Sequence, residues 1–495
     1  MSIFINLCFK SSLPIGEIDL TFSLEVTMES CLDYHLKTAH TYESVRRPHY
    51  LDWSNYPSPF KFYRGVKTFP LPPFKFRGQE TLDTLYRLCS DYGSDSLTLQ
   101  EVANLAFSMN GVTKVEDFHG EPFAFRASPS AGALYPFELY LFLRSVEGLP
   151  DGLYHYQPVN HSLELLVAGD LFEPLKGALC AEFTGNCVAV VTTIYGRSAW
   201  KYRARAYRYC LLDSGHMVAN GVAYLRSLGL DATAVSLFKD SRLNALLGVD
   251  GTREFATVAL LPERPALFWG DEELPPFNYP PSEPVLRRPV REPLVEEAHR
   301  AGELADCQFY RPFPGSSSLF PEVTSPPLGD VILKRRSRRE FTGRAMPFET
   351  FKHLAESSLT CFPSDWGFPK CNLYLQVRNV EGLQSGIYTP SNGRLELVQA
   401  GDFGPYVSYL CLSQRFVAYA NVNVVFTYSF GGTCRDYRGA LLEAGALGEN
   451  LYLAAEAFGC GACGIGAFYD LELQAFLGLP PEELPVYVVS VGVLV

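Results

Sequence analysis

The spacing of apolar residues alternates along the chain between a helical and a strand-like pattern. Helical spacing predicts helices over residues 97–109 and 207–228, and apolar runs of strand length predict strands over 138–144 and 187–195. The chain ends in a further apolar strand, VYVVSVGVLV. This mixture of the two kinds of element indicates an α+β fold.

One part of the chain repeats another. Residues 139–154 read LYLFLRSVEGLPDGLY, and residues 373–388 read LYLQVRNVEGLQSGIY. The correspondence continues in two further pairs of segments, 205–215 (RAYRYCLLDSG) with 435–445 (RDYRGALLEAG) and 236–248 with 466–478. A period this long predicts a domain duplication rather than a solenoid.

Length and composition agree with two domains. The chain has 495 residues, which exceeds the roughly 250 to 300 at which a single hydrophobic core stops growing. Segments dense in proline and aromatic residues are unsuited to a regular core and mark the boundaries. We therefore expect an N-terminal extension and strap over 1–77, domain 1 over 78–264, a proline-rich linker over 265–327 and domain 2 over 328–495.

The charge balance excludes some classes of partner. The formal net charge is -12, which argues against general nucleic-acid binding. The sequence KRRSRR at 334–339 is a local exception. We find no apolar run long enough to cross a bilayer, so no membrane partner is expected.

The cysteines bear on the compartment. There are 13, an odd number, scattered through core-like and loop-like segments with no recognisable leader before them. Such usage is typical of a reducing environment, so a cytoplasmic protein is expected.

Two motifs carry candidate binding chemistry. RASPSAGALYPFE at 126–138 combines small residues, which let a flat ligand approach the backbone, with proline; a tight turn before a strand explains it equally well. RRSRREF at 335–341 precedes a helix signal at 347–355 and suits a phosphate. Taken alone, it is better explained as a solvated basic patch.

A glycine-rich stretch formally matches a dinucleotide-binding motif. GCGACG at 459–464 has the G-x-G-x-x-G spacing, but helical apolar spacing over 441–458 precedes it where a strand is required. It is therefore predicted to be the exit from a helix. Cys460 and Cys463 form C-x-x-C without a second ligand pair, so no metal site is expected.

These motifs together resemble a known family. RASPSAGALYPFELY, GLYHY and WKYRARAYRYCLLDSGH in the first half, and RRSRREF, LLEAGALGENLYLAA and GCGACGIGAF in the second, resemble the SagB-type oxidases of the nitroreductase-like flavoproteins. The resemblance implies two nitroreductase-like domains, each with an antiparallel-rich central sheet flanked by helices, forming an intramolecular pseudo-dimer. It also implies FMN bound at the interface of the two domains, and it leaves further oligomerisation open.

The two copies differ in a way that allows one complete site. Aligned with RRSRREF, the first half has YRLCSD at 86–91, with a single arginine; aligned with PSAGALYPFE, the second half has PSDWGFPKCN at 363–372. The resemblance implies that one FMN is held by residues of both halves and by the glycine-rich exit, near the ring N5. The expected cofactor-binding residues are Arg335, Arg336, Ser337, Arg339, Pro129, Ser130, Ala131, Gly132, Leu134, Cys463, Gly464 and Ile465.

Lys201 and Tyr202 are the expected catalytic residues. Their counterparts in the second half are Gly431 and Gly432, so the pair occurs once. The resemblance implies that such a pair assists deprotonation of an azoline, with Arg203 and Arg205 as candidates for lowering the lysine pKa. A surface lysine beside a buried tyrosine is the equally weighted alternative.

The expected function is therefore an FMN-dependent oxidoreductase acting on a small molecule or a modified peptide, such as one with a thiazoline or oxazoline ring. Arg339 is a candidate for stabilising the charge of the reduced flavin near N1 and O2. Two alternatives stay open. One is a nitro- or quinone-reductase that takes electrons from NAD(P)H, and the other is a flavin- or peptide-binding scaffold without turnover.

Overall fold

The computed structural model describes residues 28–47, 49–76, 78–86, 96–118, 120–270, 276–308, 324–366, 370–391 and 394–495. The strands are β1 (Lys67–Pro70), β2 (Val112–Phe118), β3 (Glu121–Arg126), β4 (Phe137–Leu143), β5 (Gly152–Gln157), β6 (Ser162–Ala168), β7 (Ala181–Glu182), β8 (Cys187–Ile194), β9 (Thr233–Val235), β10 (Glu254–Leu261), β11 (Ala266–Leu267), β12 (Cys371–Val377), β13 (Gly386–Ser391), β14 (Arg394–Ala400), β15 (Val422–Ser429), β16 (Cys460–Ile465) and β17 (Glu483–Val493). The α-helices are α1 (Met28–Lys37), α2 (Tyr42–Arg46), α3 (Thr81–Tyr86), α4 (Leu99–Asn110), α5 (Phe172–Leu179), α6 (Tyr195–Tyr202), α7 (Ala206–Ser227), α8 (Asp240–Leu247), α9 (Pro293–Ala301), α10 (Leu328–Lys334), α11 (Phe348–Leu359), α12 (Gly404–Leu410), α13 (Cys434–Ala457) and α14 (Asp470–Leu477).

Each half contains one large antiparallel sheet, and these two sheets share a topology; the described residues also form the two-stranded sheets β2-β3 and β7-β11. The first has the order β1-β6-β5-β4-β8-β10-β9 and the second the order β14-β13-β12-β15-β17-β16. Apart from the added edge strand β1, the two orders correspond strand by strand. The predicted duplication and the α+β class are confirmed.

The sheets are covered on both faces. The strands β4 and β8 are buried along their whole length, because α4 and α7 cover one face and α5 and α8 cover the other. Runs such as FELYLFL are therefore apolar without strict alternation. In the second half α12 and α14 pack on the outer face in the same way.

Local signals explain where several helices begin and end. Capping boxes start α4, between Thr98 and Glu101, and α13, between Thr433 and Asp436. Helices α8 and α14 end at Gly248 and Gly478, whose φ values of 70° and 65° favour glycine. The glycine-rich stretch follows a helix as predicted, because α13 ends at Ala457. The stretch itself then forms the edge strand β16, which pairs with β17.

The two halves meet along the long helices α7 and α13. All 22 residues of α7 are buried. The helices cross with their backbones in contact, because a Cβ at Gly215 would lie 2.2 Å from the carbonyl oxygen of Leu442, and one at Gly445 would lie 2.1 Å from that of Leu212. Only glycine permits this separation at the crossing point.

Two equivalent ion-pair clusters flank the crossing. Arg205, directly before α7, and Arg208 of α7 hold Asp470 of α14 at 2.9 and 2.6 Å. In the other direction Arg435 and Arg438 of α13 hold Asp240 of α8 at 2.7 and 2.9 Å. Burial alone would raise the pKa of Asp470, but the two arginines more than offset it, so this pKa lies well below its ordinary value.

The N-terminal extension and the linker are more helical than expected. The N-terminal extension and strap contain α1 and α2. The proline-rich linker contains α9, in which Pro293 occupies a first-turn position compatible with proline. After α2 the arm runs in irregular conformation beside the linker. Backbone bonds join Ser58 to Val285 and Arg64 to Pro281. The two segments therefore brace each other against the first half.

The structure contains disulfide bonds, which the expected reducing environment did not anticipate. Disulfides join Cys31 to Cys434 and Cys180 to Cys307. The first ties α1 to α13, and the second ties α5 to the segment after α9. Among the described residues, no helix is both long and apolar enough to cross a membrane.

The close helix crossing predicts that adding one methyl group at Gly215 strongly destabilises the fold. Gly215→Ala should lower the free energy of unfolding by ~1–3 kcal/mol, because the new Cβ meets backbone that cannot rotate away. Gly431→Ala is the control, since its Cβ would have no atom within 4 Å. Urea denaturation of both variants measures the difference. Equal stability of the two would contradict the close crossing.

Candidate functional site

A cleft lies between the two halves beside the helix crossing. It is partly open to solvent and has a cavity volume of about 160 Å³. The first half contributes Pro129, Ser130, Ala131, Gly132, Tyr202 and Asp213 to its lining. The second half contributes Ser337, Arg339, Gly464, Ile465, Gly466 and Tyr487, among others. The cleft thus brings together the two motifs that the sequence singled out in different halves.

The small-residue loop of the first half is held from behind by Asp213. The Ser130 hydroxyl donates to the Asp213 carboxylate at 2.6 Å, and the Ala131 N–H donates to it at 3.2 Å. Gly132 has a φ of 63°, a conformation that favours glycine. Burial raises the pKa of Asp213 to about 7, and the two hydrogen bonds only partly oppose this. Leu134 is buried and lies outside the lining.

The arginine cluster divides into two parts. Arg339 is exposed and lines the cleft with Ser337. Arg335 is buried, donating from Nε to the carbonyl of Ala127 at 2.7 Å and from Nη2 to that of Arg126 at 3.0 Å. Arg336 lies outside the lining and donates to backbone carbonyls of its own segment.

The buried guanidinium of Arg335 keeps one unused donor. Its Nη1 is buried and has no hydrogen-bond partner within the described part of the chain. Its Nε lies 3.7 Å from a carboxylate oxygen of Glu449. A buried donor without a partner costs free energy, so the site suits an additional acceptor.

Tyr452 connects the cluster to the glycine-rich strand. Its hydroxyl lies 2.9 Å from the Ser337 hydroxyl and accepts from the Gly464 N–H at 2.6 Å. Cys463 is buried, with its sulfur 3.7 Å from the Gly464 carbonyl oxygen, and it does not line the cleft. A Cβ at Gly464 would lie 1.8 Å from the Tyr487 hydroxyl.

Lys201 and Tyr202 end helix α6 beside the same loop. A Cβ at Gly132 would lie 2.6 Å from the Tyr202 hydroxyl and 3.2 Å from the Lys201 amine, so both side chains reach the loop. The next residue, Arg203, has φ 50° and ψ -137°, a strained conformation for a non-glycine residue. Burial raises the pKa of Tyr202. The side chain of Arg205 forms an ion pair with Asp470.

The equivalent position on the other side of the pseudo-dimer is closed. Asp365 accepts from the N–H groups of Ser236 and Leu237 at 2.8 and 2.7 Å, and its own N–H donates to Ala234. Trp366, aligned with Gly132, is buried and donates to Glu443 at 3.2 Å. The residues that degrade this loop in sequence therefore fill the second site. The aligned segment 87–91 of the first half lies outside the described residues.

Several residues of the cleft were missed from sequence. Gly466 and Ala467 line it at positions equivalent to Ser236 and Leu237, and Asp213 corresponds to Glu443 in the repeat. The sequence did contain a signal for Asp213, because LLDSG and LLEAG carry an acidic residue at the same position of the repeat. Asp213 and Glu443 each form hydrogen bonds with the corresponding loop of their own half.

Fold and cleft define a duplicated two-sheet protein with a composite interfacial site. The sequence profile of the nitroreductase family matches residues 91–261 and again 332–493. The chain therefore belongs to the nitroreductase family and contains two copies of its domain.

Individual relatives agree with this assignment. A nitroreductase-type protein of Methanocaldococcus jannaschii is 31% identical over 166 residues, covering 33% of this chain and 80% of that protein. The microcin B17-processing protein McbC of Escherichia coli is 30% identical over 133 residues, covering 25% of this chain and 49% of McbC. The trifolitoxin-processing protein TfxB of Rhizobium leguminosarum is 29% identical over 147 residues, covering 28% of this chain and 39% of TfxB. The chain thus spans half or less of the two processing proteins.

A crystal structure covers the whole arrangement. A nitroreductase-type protein from Anabaena variabilis superposes with a TM-score of 0.74 at 26% identity, covering 94% of this chain and 99% of that one. The arrangement of both halves is therefore shared by that chain.

The raised pKa of Asp213 predicts a pH dependence of stability. Between the ordinary carboxyl pKa of 3.8 and about 7, the folded state keeps a proton that the unfolded chain has released. The free energy of unfolding should therefore fall as pH rises through this window, by at most ~1.4 kcal/mol per pH unit. Asp213→Asn removes this pH-dependent contribution. The stability of the variant relative to the wild type should therefore increase as the pH is raised from 4.5 to 7. Urea denaturation at both pH values measures it, with the exposed Asp117→Asn as control; parallel behaviour of the two variants would contradict the assignment.

Proposed function

We propose that the chain is an FMN-dependent oxidoreductase of the SagB type, with one flavin in the cleft between the two halves. The observation that carries the proposal is the asymmetry of the pseudo-dimer. One interfacial site is an open cleft lined by both halves, and its equivalent is filled by Asp365 and Trp366. A single composite site follows.

The closed site indicates what the open cleft can bind. There, the N–H groups of Ser236 and Leu237 hold two carboxylate oxygens. Gly466 and Ala467 occupy the equivalent positions on the open side and line the cleft. Their N–H groups suit acceptor atoms at the edge of a flat ring, such as N5 and O4 of a flavin. Arg339 would then stabilise negative charge near N1 and O2.

The phosphate end has fewer but suitable groups. The unpartnered Nη1 of Arg335 and the hydroxyl of Ser337 can donate hydrogen bonds to a phosphate. Glu449 lies close to Arg335 and works against a dianion there. The residues therefore fit FMN, and they offer more suitable hydrogen-bonding groups to the ring than to the phosphate.

A bound flavin would supply a hydride acceptor at N5. The chain's own residues orient the substrate on the open ring face and take up its proton. The pair Lys201 and Tyr202, adjacent to the loop at Gly132, is placed for proton abstraction. The strain at Arg203 is consistent with a functional requirement on the position of this pair.

Two relatives support a peptide substrate. McbC and TfxB are named for the processing of microcin B17 and trifolitoxin. The proposed substrate is therefore a modified peptide, and the resemblance to SagB-type oxidases favours one with a thiazoline or oxazoline ring. The family as a whole supports the second candidate, a nitro- or quinone-reductase using NAD(P)H. Anaerobic bleaching of bound flavin by NADPH alone would favour the second candidate.

Flavin content tests the composite site. The purified protein should be yellow, with one FMN for each chain, and Ser337→Asp should remove the FMN because a carboxylate would face the phosphate. Ser429→Asp, at an exposed position on β15, should keep it. Absorbance after denaturation, divided by chain concentration, measures occupancy. Full occupancy in Ser337→Asp would show that the phosphate lies elsewhere.

Turnover tests the catalytic pair. Lys201→Ala should keep the flavin and slow oxidation by ~100-fold or more, because a positioned base typically contributes that much. The exposed Lys114→Ala serves as control. Stopped-flow reduction of the flavin by substrate measures the step. An unchanged rate in Lys201→Ala would dismiss it as the base.

A further inference from the structure

A hydrogen-bonded chain of three side chains reaches the cleft wall. The hydroxyl of Tyr487 lies 2.8 Å from Nε2 of His216, and Nδ1 of His216 lies 2.7 Å from a carboxylate oxygen of Glu449. Tyr487 and His216 both line the cleft, whereas Glu449 is fully buried. The imidazole comes from α7 of the first half, and the other two groups come from the second half.

The partners determine how the protons are arranged. A carboxylate can only accept, so Nδ1 of His216 carries the proton and donates to Glu449. Nε2 is then free to accept from the Tyr487 hydroxyl. A buried carboxylate behind the imidazole also stabilises the imidazolium that forms when Nε2 gains a proton.

The chain occurs only on the side of the open cleft. In the repeat, His216 corresponds to Ala446 and Glu449 corresponds to Ala219, so the closed site lacks both groups. Close packing also favours the arrangement, because a Cβ at Gly448 would lie 3.1 Å from the His216 ring. If this chain of hydrogen bonds had only a structural role, nothing would restrict it to the side of the open cleft.

We propose that Tyr487 is a proton-transfer residue of the cleft and that His216, positioned by Glu449, takes up the proton through it. As the bond between the substrate and its proton breaks, a new Oη–H bond forms on Tyr487, and the original phenol proton moves to Nε2 of His216. No phenolate is required, and the step changes no oxidation state. This relay rests on the proposed function, and it adds a second proton acceptor to Lys201.

Other charged and titratable groups face this chain. Tyr452 of α13 meets the His216 ring edge-on at 5.6 Å, and Arg335 lies 3.7 Å from the second oxygen of Glu449. Asp213 of α7 and Cys463 of β16 act on Tyr487. Burial, with these neighbours, raises the pKa of Tyr487 far above its ordinary value, which agrees with a neutral phenol that relays rather than ionises.

The pH profile of flavin reduction tests the relay. Tyr487→Phe should lower the rate by ~100-fold and change the dependence of the rate on pH, because His216 is then disconnected from the substrate. Glu449→Gln should change that dependence as well, because the imidazolium that forms would lose its carboxylate. Tyr388→Phe is the matched control, since its hydroxyl bonds to the carbonyl of Gln384 within its own hairpin region. A wild-type rate and pH profile in Tyr487→Phe would overturn the proposal.

A second measurement does not depend on turnover. In protein with ¹⁵N-labelled histidine, the Nε2 resonance that disappears in His216→Asn should be that of an acceptor nitrogen, and it should shift in Tyr487→Phe but not in Tyr388→Phe. No shift would overturn the relay even if the enzyme is active. A shift in a protein that holds no flavin and oxidises nothing would instead support the chain of contacts and refute the proposed function.

Discussion

The close crossing of α7 and α13 is the constraint on which the rest of the structure depends. Gly215 and Gly445 let the two backbones touch, and this fixes the distance between the halves. At that distance side chains of one half reach groups of the other: His216 meets Glu449, and the ion-pair clusters form on both sides. A wider separation would leave these buried polar groups without partners, which is costly.

The duplication makes the two interfacial sites independent of each other. In a symmetric homodimer a substitution appears in both sites, whereas in a duplicated chain each copy changes alone. Here Asp365 and Trp366 fill one site, and Asp365 satisfies backbone donors that would otherwise face a cavity. The filled site therefore contributes packing, and the open site is left with the exposed donors and the small-residue loop.

The charged residues near the cleft fall into two groups, those that hold the two halves together and those that lie at the cleft itself. Asp470 and Asp240 are each held by two arginines and fix the relation of the halves. Asp213 has no such partner, and burial raises its pKa to about 7, so it braces the small-residue loop largely in the protonated form at lower pH. The exposed Arg339 contributes a cation to the lining of the cleft.

The duplication, the α+β class and the asymmetry of the two copies were predictable from the sequence, because they follow from spacing and from direct comparison of segments. The family resemblance added the prediction that Ser337, Arg339 and the loop at Gly132 lie together. Which side chains face the cleft depends on the packing of the two halves. Arg335 and Arg336 have the same residue type and adjacent positions, yet they point to different backbone carbonyls. The chain from Glu449 through His216 to Tyr487 joins residues from two helices and a strand, and only the packing of the two halves brings them within hydrogen-bonding distance.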